Sequence, residues 1–268
     1  MAEETQFTAN TGAVSISTAN SNLDGTGTLG TLITGASNGT LVTRVFIKCI
    51  TNSNSGMIRF FVYDGVNARL IKEVMVPANN KASIQPAFET SFMLNYNLKS
   101  GNSIKVSTEK SDTFNIIAEG RDRAYYASGV RMDTTKFNGN SGSVLISTAN
   151  SNLDDTGTLG LAFTAGSSPT YNGARIGSIT VKGYVNVTPG MVRLYIDDGT
   201  TKYCFKEIMI PTITKSATDR AFERTITFEE PLHLKAGYKI QASTENAENY
   251  HVAVEANDCV TLPSLGQH

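Results

Sequence analysis

Histidine is the side chain best suited to moving protons near neutral pH or holding a transition metal, and this chain carries three, His233, His251 and His268. None lies in the first half of the chain, where the sequence is otherwise duplicated, so a triad or histidine-metal site would exist in one domain only, which counts against one. His251 stands in an alternating run and reads as an ordinary, partly buried strand residue, and His268 is the last residue of the sequence. Among the carboxylates, Asp197-Asp198, Asp24 and Asp154 could serve as acids or calcium ligands, but they lack the alternating spacing of a calcium-binding loop and read as turn formers. A glycosidase would add aromatic platforms to two carboxylates flanking a groove, and the chain has no tryptophan. GTGTLG, beginning at Gly25, lacks the lysine and following helix of a phosphate loop. Cys49, Cys204 and Cys259 form an odd set without CxxC spacing and are expected as buried reduced thiols. The expectation is no catalytic residue, no cofactor and no metal: not an enzyme.

The elements that would position these side chains come in two copies. ISTANSNLDGTGTLG from Ile16 and ISTANSNLDDTGTLG from Ile146 differ only at Gly25 against Asp155. The match continues with GMIRFFVYDG against GMVRLYIDDG, KEVMVP against KEIMIP, AFE against AFE, LKSG against LKAG, and STE against STE. The offset begins at 130 residues and grows to 134 and 136. A period this long is duplication of a whole domain. Residues 11–122 form the first repeat and 140–260 the second, and 123–139 match nothing and read as linker.

Within a copy the signal is strand. Ile58, Phe60 and Val62 alternate with Arg59, Phe61 and Tyr63 and run into Asp64-Gly65, a hairpin signal. Eight strands are expected in the first copy, near 13–18, 28–34, 41–51, 57–64, 69–77, 89–95, 103–109 and 113–119. No segment keeps apolar residues at helical spacing. Counting out from the turn sets Arg59 opposite Glu73, and Arg193 opposite Glu207, as cross-strand ion pairs. The fold class is all-β: two tandem antiparallel β-sandwich domains, jelly-roll-like, related by internal duplication.

Charge and hydropathy exclude other classes. Lys and Arg number 23 against 24 Asp and Glu, with no basic cluster, so direct contact with nucleic acid is not expected. The apolar runs are too short to span a bilayer as helices, so no membrane partner is expected. MAEETQFTAN is acidic and lacks the apolar core of a signal peptide, which implies synthesis in the cytosol.

GMIRFFVYDG, KEVMVP, AFE and STEKSDTFNIIAEGRD together resemble a β-sandwich module of virion structural proteins in tailed bacteriophages, including the crAss-like phages. The resemblance covers both copies. It implies a non-enzymatic virion structural protein, assembled in the host bacterial cytoplasm and located in the virion. The leading form is an auxiliary or decoration protein on the capsid; the alternatives are a tail or neck ring component, or a receptor- or carbohydrate-binding module. The implied partners are other virion proteins, the major capsid protein or tail and portal components, together with further copies of the chain as a homo-oligomer. Two similar domains per chain would give a trimer pseudo-sixfold symmetry and a hexamer pseudo-twelvefold symmetry. For a glycan-binding role, Tyr125, Tyr126 and Tyr171 are the candidate exposed aromatics. YCFKEIMI and the closing STENAENYHVAVEAND of the second copy depart from RLIKEVMV and STEKSDTFNIIAEGRD of the first, which counts against one partner touching both domains in the same way.

The loop itself is the more unusual repeat, because core positions drift conservatively between copies while a polar loop ordinarily drifts faster. One reading makes Asn20, Asn22, Asp24 and Thr26, with Asn150, Asn152, Asp154 and Thr156, assembly contacts made twice. A second is a demanding turn, with Gly27 and Gly30 at positive φ and Asn20, Asn22 and Asp24 capping backbone groups. A third is recent gene conversion.

Overall fold

The computed structural model describes residues 6–124, 137–167, 171–216 and 219–260. Among them the alternating runs pair into sixteen strands and no helix. The first copy supplies β1 (Gln6–Ile16), β2 (Gly30–Thr34), β3 (Thr40–Cys49), β4 (Gly56–Tyr63), β5 (Ala68–Val76), β6 (Glu89–Leu98), β7 (Ser103–Thr108) and β8 (Phe114–Ala124). The second supplies β9 (Phe137–Ile146), β10 (Gly160–Thr164), β11 (Tyr171–Gly183), β12 (Gly190–Asp197), β13 (Lys202–Ile210), β14 (Glu223–Leu234), β15 (Lys239–Thr244) and β16 (Tyr250–Val260).

In each copy the strands form two four-stranded antiparallel sheets. The orders are β1-β8-β3-β6 and β2-β7-β4-β5, then β9-β16-β11-β14 and β10-β15-β12-β13. Successive strands alternate between sheets, except that β4 and β5, and β12 and β13, pair as hairpins. This is the jelly roll, and the chain holds two. Asp64 closes the first hairpin by accepting the N–H groups of Val66 and Asn67, and Asp198 closes the second from Thr200 and Thr201. Gly65 and Gly199 supply the positive φ.

Inward-facing positions fill each sandwich. Val45, Ile47, Ile58, Phe60, Ile104, Val106 and Ile116 pack the first core, and Ile179, Val181, Val192, Leu194, Ile240 and Val252 the second. β1 begins well before the expected residue 13; its first half, Gln6 to Gly12, has only Phe7 and Ala9 as apolar side chains among polar ones, too little alternation to read as strand. Gly12 is required there, since a Cβ would lie 2.0 Å from the Leu32 carbonyl oxygen of β2. β8 runs to Ala124 and β9 starts at Phe137, so strand reaches into both ends of the segment expected as linker.

The two jelly rolls meet along a heterologous seam. The β13–β14 edge of the second, with β11, lies against the outer face of β1, β8 and β3 in the first. Phe46 meets Phe205 edge-on with ring centroids 6.2 Å apart, and Ile117 of β8 joins the apolar cluster of the second roll.

Candidate assembly site

The duplicated loop lies across the outside of the β2-β7-β4-β5 sheet. Asn20 anchors it: its N–H donates to the Thr108 carbonyl, its Nδ2 to the carbonyls of Thr26 and Thr28 at 2.9 and 3.0 Å, and its Oδ1 accepts from the Asn22 N–H. Asp24 Oδ1 accepts from both the N–H and the hydroxyl of Thr26, and Asn22 Nδ2 donates to Thr26 Oγ1. Those two bonds from Thr26 hold the exposed Asp24 carboxyl below its ordinary range. Asn150, Asn152, Asp154 and Thr156 repeat every one of these bonds. Gly27 is at positive φ as expected and its counterpart Gly157 matches it, and a Cβ on either would run into the anchoring asparagine. Gly30 is not at positive φ; it is small because Ile16 and Val14 crowd its Cβ position. Asn20 and Asn150 are buried and act within the turn, which narrows the outward-facing candidates to Asn22, Asp24, Thr26, Asn152, Asp154 and Thr156.

Beneath the loop, the expected ion pairs form as β4–β5 and β12–β13 partners. Arg59 Nε meets Glu73 at 2.9 Å and Arg193 Nε meets Glu207 at 3.0 Å. Each arginine also donates to the loop, Arg59 to the Asn20 carbonyl and Arg193 to the Asn150 carbonyl. The outward face of β4 is therefore covered where alternation alone makes it solvent-facing.

Only in the second copy does this network continue into the seam. Glu207 Oε2 accepts from Lys48 Nζ at 2.8 Å and from the Ala87 N–H at 2.9 Å, both in the first jelly roll. Lys48 completes its three donors with the Ala87 carbonyl and Glu89, and Lys206 pairs with Glu89 from the other side. Burial pushes the Glu207 carboxyl up, but Lys48, Arg193 and the Ala87 N–H outweigh it and hold the group below its ordinary range. A buried charge is tolerated when it is paired and its hydrogen bonds are satisfied, and both conditions hold for Lys48 and Glu207. Lys48, Glu89 and Lys206 were missed in sequence, although Lys48 with Glu89 and Lys182 with Glu223 are duplicated pairs that could have drawn notice.

A second buried cluster locks the other end of the seam. Glu119 accepts from Arg44 Nε at 3.0 Å and from the His233 N–H, and Arg44 and Arg121 reach Glu230. Desolvation pushes the Glu119 carboxyl up to about 7 against the pull of Arg44, and pushes the His233 imidazole down to about 3, helped by Arg121, Arg175 and Arg44.

The remaining candidates are dispersed. His251 is exposed, with its ring 5.1 Å from Tyr184, and not partly buried as expected, because β16 presents its outward face to solvent. Asp197 is buried: its Oδ2 meets Gln241 and Lys239, and its Oδ1 accepts the Gly199 N–H, so it braces the Asp198 turn from inside. All three cysteines are free and buried, and desolvation raises the Cys204 thiol to about 12. Tyr171 accepts a bond from Asn138; Tyr125, Tyr126 and His268 lie outside the described residues.

No protein-family model matches this chain, and no curated protein matches it. Similar solved structures include the major capsid protein P2 from bacteriophage PM2, at 13% identity over 97% of this chain and 100% of that one, with a TM-score of 0.24. The STIV MCP is similar at 9% identity over 96% of each chain with a TM-score of 0.25. PNGase F, a glycosylasparaginase from Flavobacterium meningosepticum, is similar at 13% identity over 91% and 95%, with a TM-score of 0.25. Capsid proteins and a glycosylasparaginase stand side by side here, so these likenesses carry no functional argument; the strand order itself defines the class, a double jelly-roll protein.

Proposed function

We propose that this chain is a non-enzymatic structural protein of a phage particle, an auxiliary or decoration protein that binds the capsid by surface complementarity. The observation that carries the reading is the duplicated loop: one hydrogen-bonded scaffold, built twice, offers the same outward Asn, Asp and Thr triplet from each jelly roll. A molecule that displays one polar surface twice suits a partner that repeats, and a shell is such a partner. The resemblance of GMIRFFVYDG and its neighbours to phage virion modules supports the same reading.

Quantitative mass spectrometry of purified particles tests it. A copy number in proportion to the major shell protein is the expected result. A portal-like ratio would replace decoration with a tail or neck ring, and absence from particles would end the virion reading. Asp24→Ala combined with Asp154→Ala is expected to weaken particle association more than it lowers the melting temperature, since both side chains are exposed.

A further inference from the structure

The seam within the chain joins a plug to a socket, and duplication has left a second plug and a second socket unjoined. The filled pair is Glu207 in the Lys48, Ala87 and Glu89 site. Its counterparts are Glu73 on β5 and the Lys182, Ala221 and Glu223 site on β11 and β14. Lys182 Nζ already donates to the Ala221 carbonyl and to Glu223, as Lys48 does to Ala87 and Glu89. An ammonium has three donors, so the arrangement leaves one for the carboxylate that Lys48 receives from Glu207. Glu73 is held by Arg59 through Oε1 as Glu207 is held by Arg193. The side chains of Lys48 and Glu207 are 1% and 2% exposed, whereas those of Lys182 and Glu73 are each 40% exposed.

Apolar groups around the two pairs tell the same story. In the seam, Ile50 of the first roll packs against Leu153, Tyr195 and Cys204 of the second. The counterpart of Ile50 is Tyr184, and that of Leu153 is Leu23; they are 39% and 54% exposed. Phe205, buried against Phe46, answers to Ile71, which is exposed. The surface around Lys182 forms an open concavity of about 490 Å³ that also includes Tyr184, Lys215, Arg220 and Ala221. Leu23, Ile71 and Glu73 therefore lie on one side of the first roll, and Tyr184 and Lys182 on the open face of the second.

We infer that this concavity receives Glu73 of a second copy of the chain, so that copies join head to tail through a repeat of the seam within each chain. Lys182 pairs with the neighbour's Glu73, and Tyr184 covers the neighbour's Leu23. The contact is heterologous, so it propagates, closing into a ring if the rotation between copies allows and running on as a filament if it does not. It is thinner than the seam: Thr180 stands where Phe46 does and Ala253 where Ile117 does, and Ser178 and Asn257 replace Arg44 and Arg121. Without the tether that holds the two rolls of one chain together, association depends on concentration. The inference stands on the duplicated residues and does not require a phage particle.

Light scattering on the full-length protein over a concentration series should give a mass that rises above the monomer. Lys182→Met or Glu73→Gln should weaken association about thirtyfold or more, with the melting temperature of the dilute protein held. Mixing a Leu23→Cys chain with a Tyr184→Cys chain should give a disulfide-linked heterodimer that neither chain gives alone. A monomer at every concentration, association indifferent to both substitutions, or cross-links only between identical chains would overturn the inference.

Discussion

Asn20 and Asn150 spend their side chains on the turns they begin, each satisfying two carbonyls and one N–H. Asn20→Ala is expected to cost about 2–3 kcal/mol, and Asn150→Ala the same, because several bonds are lost at once in a buried setting. Gly27→Ala should cost at least about 1 kcal/mol, since the new Cβ meets both a positive φ and Asn20. Thermal or urea melts check these; a neutral Asn20→Ala would mean that the loop is held by its surroundings. Titration acts at the same scale. His233 is neutral in the fold, so its contribution is complete above its ordinary 6.5 and is lost as pH falls toward 3. Glu119 is protonated in the fold, so its contribution is complete below its ordinary 4.5 and is lost as pH rises to about 7. The two slopes oppose each other between those ordinary values. Glu119→Gln should therefore make the melting temperature climb more steeply from pH 5 to 6.5 than in the unaltered chain, and parallel profiles would dismiss the assignment.

Among the elements, β5 and β13 share a sequence pattern and a pairing yet live in different surroundings. Lys48→Met, which leaves Glu207 with Arg193 and the Ala87 N–H but takes away its cation across the seam, should destabilise the protein by about 2–3 kcal/mol. Lys182→Met, the same change at the exposed counterpart, should cost well under about 1 kcal/mol in dilute solution. Equal effects in the two melts would mean that the seam does not rest on the buried ion pairs. The hairpins were legible in sequence because period-two alternation and Asp-Gly are local signals. The eight strands of the first copy were legible for the same reason, apart from the largely polar first half of β1. What stayed hidden depended on distance along the chain. Asn20 bonds to residues six and eight further on, which a spacing argument reaches only as a turn. Lys48 and Glu207 are 159 residues apart, and a lysine in an alternating strand reads as solvated until the second roll is placed over it.

At the scale of the whole molecule, the outer face of β3 and β8 is surface only until the second roll covers it. A fragment of residues 1–122 should keep the circular dichroism of a β-protein, because its core cluster is its own apart from Ile117. It should melt below the full chain and associate more readily, because Phe46, Lys48 and Ile117 lose their cover. A fragment without β-structure would mean that the rolls fold only together.

The seam has a bearing on synthesis as well. The first roll, complete at residue 122, is made some 138 residues ahead of the completed second at residue 260, which at ordinary elongation rates is about 7–28 s. Through that interval the Lys48 socket is open while Glu73 of every nascent neighbour on the same message is already displayed. Each chain thus competes with its neighbours for its own socket, and the covalent continuity of the chain, which raises the local concentration of its own Glu207, favours the chain to which the socket belongs.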